Sequence, residues 1–224
     1  EFLPISSSSH LILMSDYLEF KNQSLSIDVS LHIGSFIAVV IYFYRDIKEF
    51  FNDRIIFYKI IVSSLPVMFA GFFLVESGLI DKIRNIEIIA WTTIIFGILL
   101  YISDKFKTEN TIKNNFDYKA VLFIGLLQIL SLVPGVSRSG IAITAARFLN
   151  FKRTDSAKIS FLISVPILGA VTIFGCKNLI FSESVEFTKL NLVSVIISFI
   201  FSYLTIKYFL IFVKNFSLVI FVIY

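Results

Sequence analysis

The sequence predicts an all-α polytopic membrane protein, and three observations carry that expectation. Of its 224 residues 57% are hydrophobic and only 16% charged, where a soluble domain averages about 25% charged residues. Several apolar stretches approach the roughly 20 residues that a helix needs to cross hydrocarbon. Two short runs rich in Ser, Pro and Gly, 4–10 and 134–140, interrupt otherwise apolar sequence.

The apolar stretches run from Ser30 to Tyr44, Ile55 to Val75, Ile86 to Ser103, Tyr118 to Val133, Ser156 to Ile180 and Leu190 to Phe212, which amounts to about six spanning helices. Basic residues collect between alternate stretches: Arg45, Lys48 and Arg54; Lys105, Lys107, Lys113 and Lys119; Lys152, Arg153 and Lys158; then Lys207 and Lys214. The positive-inside rule puts these at the cytoplasm. The loops near 16–28, 76–87 and Glu183 to Glu186 are poorer in Lys and Arg and are expected outside. Orientation in a bilayer thus accounts for the net charge of +4, and no long basic run points to nucleic acid. The single cysteine, Cys176, lies in an apolar stretch and reads as a packing residue. The first residue, Glu1, and the apolar run up to Tyr224 suggest ends that have been cut, and 1–14 shows no signal peptide.

Both flanks of 118–150 are basic, yet Pro134-Gly135-Val136-Ser137-Arg138-Ser139-Gly140 breaks the segment in the middle. A segment that starts and ends inside predicts a re-entrant helix-loop-helix, whose irregular backbone must be covered by protein or water. The other interruption, Pro4 to His10, can be laid on the second with Pro4 over Pro134, Ser7 over Ser137 and Ser9 over Ser139. Ser64-Leu65-Pro66 and Ser164-Val165-Pro166 punctuate two further spans. Broken segments at corresponding positions are what an inverted repeat leaves in sequence, with the binding site where the breaks meet. The expected unit is one transmembrane domain over 1–224, with halves 1–103 and 104–224.

Glu1, His10 and Arg138 are ionisable groups in or beside the two breaks. Insertion of such groups costs roughly 2.5 to 3.5 kcal/mol for Arg or Asp at a helix centre, which makes a functional site the default reading. Arg138 follows a Pro-Gly turn and opens an apolar helix, so backbone N–H groups and a guanidinium fork converge on one point, an anion cradle. The competing reading, a snorkelling or structural arginine, leaves the neighbouring Ser and Gly residues unexplained. Ser6, Ser7, Ser8, Ser9 and His10 supply hydroxyls and an imidazole within one turn, the inventory for a nucleophile with a general base or acid; alone, they equally suit a helix cap. Glu1 offers a carboxylate to a divalent cation or a proton, and cations such as magnesium are completed by substrate phosphates. His32, at the entry to an apolar span and without an acidic or hydroxyl cluster around it, reads as structural. No Cys or His cluster supports zinc, and no P-loop or Rossmann glycine pattern occurs.

These residues resemble the undecaprenyl-diphosphatase (bacitracin-resistance) family. Glu1-Phe2-Leu3-Pro4-Ile5-Ser6-Ser7-Ser8-Ser9-His10 is similar to its Glu-bearing, Ser-rich opening, and Pro134 to Gly140 to its Pro-Gly-x-Ser-Arg-Ser-Gly motif. Support comes from Asp28 to Gly34, Tyr42 to Ile47, Gln128, and Ser160 to Pro166. The resemblance implies a catalytic core of Glu1, Ser7, His10 and Arg138, with Ser6, Ser8, Ser137, Ser139, Gly135 and Gln128 as phosphate-binding neighbours. It implies a divalent cation, magnesium or calcium, on Glu1, and two hairpins entering from opposite faces. It leaves open whether Ser7, His10 or water attacks phosphorus. Three departures stand out: Ser9 replaces a glycine, Ala142 a threonine, and a second glutamate expected one turn before Glu1 lies ahead of this chain.

The implied activity is hydrolysis of undecaprenyl, or another polyprenyl, diphosphate to the monophosphate carrier and inorganic phosphate, in lipid-carrier recycling for the cell wall. The implied setting is the bacterial plasma membrane, with the site open to the outer side, the bilayer and a polyprenyl diphosphate as partners, and a homodimer as the oligomer. A secondary transporter or flippase of an anionic lipid or small anion would use the same broken helices, and a non-catalytic scaffold is the third reading.

Overall fold

The computed structural model describes residues 1–7, 9–10, 25–52, 54–78, 85–181 and 189–224. Ser8, the expected outer loop residues 16–24 and 79–84, and the turn at Glu183 and Glu186 lie outside the described residues. In chain order the helices are α1 Leu25–Tyr42, α2 Tyr44–Asn52, α3 Arg54–Glu76, α4 Ile86–Asp104, α5 Ile112–Asn115, α6 Tyr118–Gln128, α7 Arg138–Phe148, α8 Arg153–Phe181, α9 Lys189–Asn215 and α10 Val219–Ile223, with a 3-10 turn at Ile129–Leu132.

Four of these, α3, α4, α8 and α9, are long and apolar enough to cross a membrane, and α1 and the α6 segment are shorter apolar helices. Their outward faces carry Phe73, Trp91, Ile173 and Phe201, each about two-thirds exposed or more, as expected where lipid rather than water covers the surface. The protein is therefore a multi-pass, all-helical membrane protein, in agreement with the expected fold class. Cys176 is half-buried in α8.

The segment 118–150 forms the hairpin that its flanking charge predicts. Helices α6 and α7 have 11 residues each, about 16 Å at 1.5 Å per residue, too short for a roughly 30 Å hydrocarbon layer. Entry and exit are tied together: the Glu109 and Asn110 amides donate to the Asn150 carbonyl at 3.1 and 3.0 Å, and Lys152 returns a bond to the Asn110 carbonyl at 3.0 Å. The chain thus leaves the bundle beside the point at which it entered.

A buried ionic knot closes that end. Arg147, on the last turn of α7, has 0% of its surface exposed and donates to the carbonyls of Asp104, Phe106, Lys107 and Phe151. Asp104 accepts two bonds from the Arg153 guanidinium at 2.6 and 3.0 Å and one from the Leu218 amide at 3.0 Å. Helices α4, α7, α8 and the start of α10 are pinned by this one cluster.

Helices α1 and α9 approach closely, as small residues allow in a membrane. A methyl group on Gly34 would collide with the Val195 carbonyl. Alongside it the Ser35 hydroxyl bonds Ser198 at 3.2 Å and Ser202 at 3.0 Å, and Asn191 bonds Ser30 at 3.2 Å. Pro66 and Pro166 lie inside α3 and α8. The preceding serines bond back to carbonyls one turn earlier, Ser64 to Ile60 and Ile61, and Ser164 to Phe161, so both helices run on through their prolines.

Candidate active site

The two breaks are capped in the same way. The Ser6 hydroxyl accepts the Ser9 amide at 3.4 Å and the Ser9 hydroxyl at 2.8 Å, while the Ser137 hydroxyl accepts the Gly140 amide at 3.2 Å at the start of α7. Each is a serine satisfying a free amide of a helix's first turn. Ser6, not Ser7, is thus the counterpart of Ser137, one position away from the register read in the sequence. The second turn is longer from proline to cap because Gly135 is inserted with φ 95°. A side chain on Gly135 would collide with Thr92, whose hydroxyl donates to the Pro134 carbonyl at 2.7 Å.

The breaks also touch each other. The hydroxyls of Ser137 and Ser139 both donate to the Leu3 carbonyl, at 3.3 and 2.6 Å. Around this junction lie two cavities that share Ile5, Ser6 and Ser137 as a common wall.

The first cavity, about 220 Å³, is lined by Glu1, Ser6, Ser7, His32, Ser137 and Arg138, with apolar side chains of α3 and α8 beneath them. Arg138 Nη2 donates to Glu1 Oε2. Glu1 Oε1 faces His32 Nδ1 at 3.5 Å. The side chains of Arg138 and Glu1 retain 18% and 25% exposure, so the pair is sheltered but open to the cavity. Ser7 is exposed on the same wall.

His32 lines the same cavity as this group, a placement that its sequence neighbours do not indicate. The carboxylate that faces it, Glu1, is brought to α1 by the fold. The signal available in sequence was an ionisable side chain within an apolar span, the same signal that singled out Arg138.

His10 faces the second cavity, about 230 Å³, with Ser9, Gly135, Thr144 and Tyr224. Its Nδ1 lies 2.6 Å from the Ser6 carbonyl and its Nε2 3.0 Å from the Tyr224 hydroxyl. A carbonyl can only accept, so Nδ1 carries a proton, and Nε2 is paired with the Tyr224 hydroxyl. Where a single pocket for Ser7, His10 and Arg138 was expected, the structure has two adjoining cavities, with Ser7 and Arg138 in one and His10 in the other.

The remaining expected site residues divide similarly. Ser6 and Ser137 line both cavities and Gly135 the second. Ser139, 4% exposed, lines neither and stitches the two breaks through Leu3. Gln128 is 1% exposed, also lines neither, and its amide nitrogen has no partner among the described residues. Ser8 is not described. Among the described residues no cluster of three or more His, Cys, Asp or Glu side chains is present.

The family described as "Bacitracin resistance protein BacA" matches residues 1–224. The chain belongs to that family. It is 48% identical over 225 residues to an undecaprenyl-diphosphatase of Pelagibacter ubique (strain HTCC1062), covering 100% of this chain and 88% of that protein. It is 35% identical over 213 residues to an undecaprenyl-diphosphatase of Jannaschia sp. (strain CCS1), covering 89% and 80% respectively. As a BacA member it tolerates Ser9 readily: among the described non-glycine residues only Asn150 has positive φ, so position 9 needs no glycine-like backbone. Ala142 is buried at 1% and lines neither cavity, whereas Thr144, two residues on, lies in the wall of the His10 cavity.

Proposed function

We propose that this BacA protein hydrolyses undecaprenyl diphosphate to undecaprenyl phosphate and inorganic phosphate, with the diphosphate bound where Arg138 meets the capped start of α7. The observation that carries this reading is the junction of two serine-capped breaks around one sheltered arginine, in a chain 48% identical to an undecaprenyl-diphosphatase.

Phosphoryl transfer asks chiefly for positioning and positive charge on the equatorial oxygens. Arg138 supplies the charge, α7 the unpaired amides of a helix N-terminus, and the Glu1 carboxylate keeps the guanidinium turned into the cavity. Ser7 stands on the wall of that cavity and is assigned as nucleophile: its oxygen forms a bond to the terminal phosphorus as the bond to the bridging oxygen breaks. The lipid monophosphate leaves, and water then releases inorganic phosphate from the serine. His10, across the shared wall, is assigned to proton transfer, which requires a path past Ser6.

The divalent cation, magnesium or calcium by resemblance, has a suitable carboxylate in Glu1, because Arg138 takes one oxygen and leaves Oε1 turned toward the cavity. Such a cation supplies positive charge to diphosphate oxygens. The breaks support an inverted repeat with halves 1–103 and 104–224. Lys105, Lys107, Lys113 and Arg153, near where the hairpin enters and leaves, support an orientation with that end at the cytoplasm and the site toward the outer face of the bacterial plasma membrane. A homodimer belongs to the same reading.

Phosphate release from undecaprenyl diphosphate by purified protein in detergent tests it. The expected result is turnover by wild type, with Ser7→Ala, His10→Ala and Arg138→Ala each impaired. Wild-type protein that moves the lipid across vesicles without releasing phosphate would favour a carrier instead. Ser7→Ala retaining most of its turnover would remove the serine nucleophile in favour of water or His10.

A further inference from the structure

The Arg138 cavity holds one polar atom that the phosphatase reading leaves without a task. His32 Nδ1 is buried and has no hydrogen-bond partner among the described residues. It faces Glu1 Oε1 at 3.5 Å, beyond the roughly 2.7 to 3.2 Å of an N–H···O bond. A buried nitrogen without a partner is costly, about 1 to 3 kcal/mol, and a bound ion or water is among the reasons a native fold keeps one.

The separation suits two neighbouring ligands of one metal ion. Bonds of about 2.3 to 2.6 Å at a right angle place their donors about 3.3 to 3.7 Å apart, and tetrahedral bonds of about 2.0 to 2.1 Å place them about 3.3 Å apart. The charge arrangement agrees. The carboxylate has its two oxygens on different duties, Oε2 holding the Arg138 guanidinium and Oε1 facing His32. A cation at Oε1 and the guanidinium at Oε2 would be separated by the carboxylate, and a diphosphate in the cavity can bridge them.

We infer that His32 Nδ1 and Glu1 Oε1 are paired protein ligands of the divalent cation, with diphosphate oxygens completing its shell. This rests on the phosphatase reading for the diphosphate. An imidazole ligand raises affinity for manganese or zinc relative to magnesium, so the site is a mixed nitrogen and oxygen one, not a purely carboxylate one. His10 is excluded from it, because Ser6 and Tyr224 occupy its two nitrogens.

Manganese(II) with inorganic diphosphate is the probe, observed by pulsed electron paramagnetic resonance on wild-type protein in lipid nanodiscs. Bound manganese is expected to show nitrogen-14 modulation from a coordinated imidazole. That modulation should vanish in His32→Ala and persist in His10→Ala. Manganese affinity should fall in His32→Ala by no less than the roughly 10- to 100-fold that loss of an outer-shell partner costs. Manganese bound to wild type without nitrogen modulation overturns the inference whether or not the variants fold, as does modulation that survives in His32→Ala. Phosphate release is measured on the same sample. Turnover without modulation discards the ligand and spares the phosphatase, whereas modulation without turnover upholds the ligand and discards the phosphatase.

Discussion

Helix α7 carries one arginine at each end, Arg138 at its first residue and Arg147 in its last turn, and the two have opposite surroundings. Arg147 is fully buried among carbonyl oxygens and the Asp104 carboxylate. A cation at a helix C-terminus complements the macrodipole and caps orphan carbonyls, so the local geometry alone explains it. Arg138 stands at the positive end of the same dipole, where its charge adds to that of the free amides. Only a negative group stabilises that arrangement, and Glu1 supplies a single carboxylate from a distant part of the chain. Arg147 is satisfied by carbonyls and a carboxylate of this chain, whereas Arg138 at the positive end is set as the proposed anion site requires.

The largest effect expected from this contrast is on stability. Arg147→Met should strand the Asp104 carboxylate and several carbonyls in a dry interior, for a loss of about 3 to 5 kcal/mol, visible as a large fall in detergent unfolding temperature. The fraction that stays folded should turn over at the wild-type rate. A variant as stable as wild type would show that the knot is not what pins α4, α7, α8 and α10 together.

Arg138→Ala should reverse the pattern, lowering kcat by roughly 10²- to 10³-fold, the usual loss when a donor to a developing anion is removed. Its unfolding temperature should change less than that of Arg147→Met, because Glu1 remains a quarter exposed and can hydrate. A smaller consequence separates the two arginines by binding alone. Inorganic diphosphate at about 100 times its dissociation constant should stabilise the wild type by about 2.7 kcal/mol. That thermal shift should be absent in Arg138→Ala. Equal protection of both proteins would move the anion site elsewhere.

What could be read from the chain, and what could not, follows the same division between local and distant causes. The spans were legible because apolar length is local, and so was the hairpin, since Pro134-Gly135 and two basic flanks define it without reference to anything else. Arg138 was legible for the same reason: a charge beside a helix-opening serine is a conflict visible within a few residues. Arg147 was not, because its partners come from Asp104 to Lys107 and from Phe151, and a lone arginine after Ala145-Ala146 looks like the start of a basic loop. The place of His32 beside Glu1 is not legible locally, because that carboxylate arrives from another segment. The cap register slipped by one because a run of serines offers several equivalent caps, and only hydrogen-bond geometry picks Ser6.

The finest comparison is between the two cavities, and Tyr224 tests it. Tyr224→Phe removes the hydroxyl that bonds His10 Nε2 at 3.0 Å while keeping the ring that stacks on the imidazole at 5.7 Å. The imidazole stays anchored through Nδ1 to the Ser6 carbonyl at 2.6 Å. One neutral hydrogen bond is worth about 0.5 to 1.5 kcal/mol, so kcat should change by no more than about tenfold. KM should hold, since Tyr224 does not line the Arg138 cavity. Tyr224→Ala, which also removes the stacked ring, should cost more. If Tyr224→Phe instead matched the loss in Arg138→Ala, the hydroxyl would be part of the proton path and not a support for His10. The chemistry would then run through both cavities, across the Ser6 and Ser137 wall, and not from the arginine side alone.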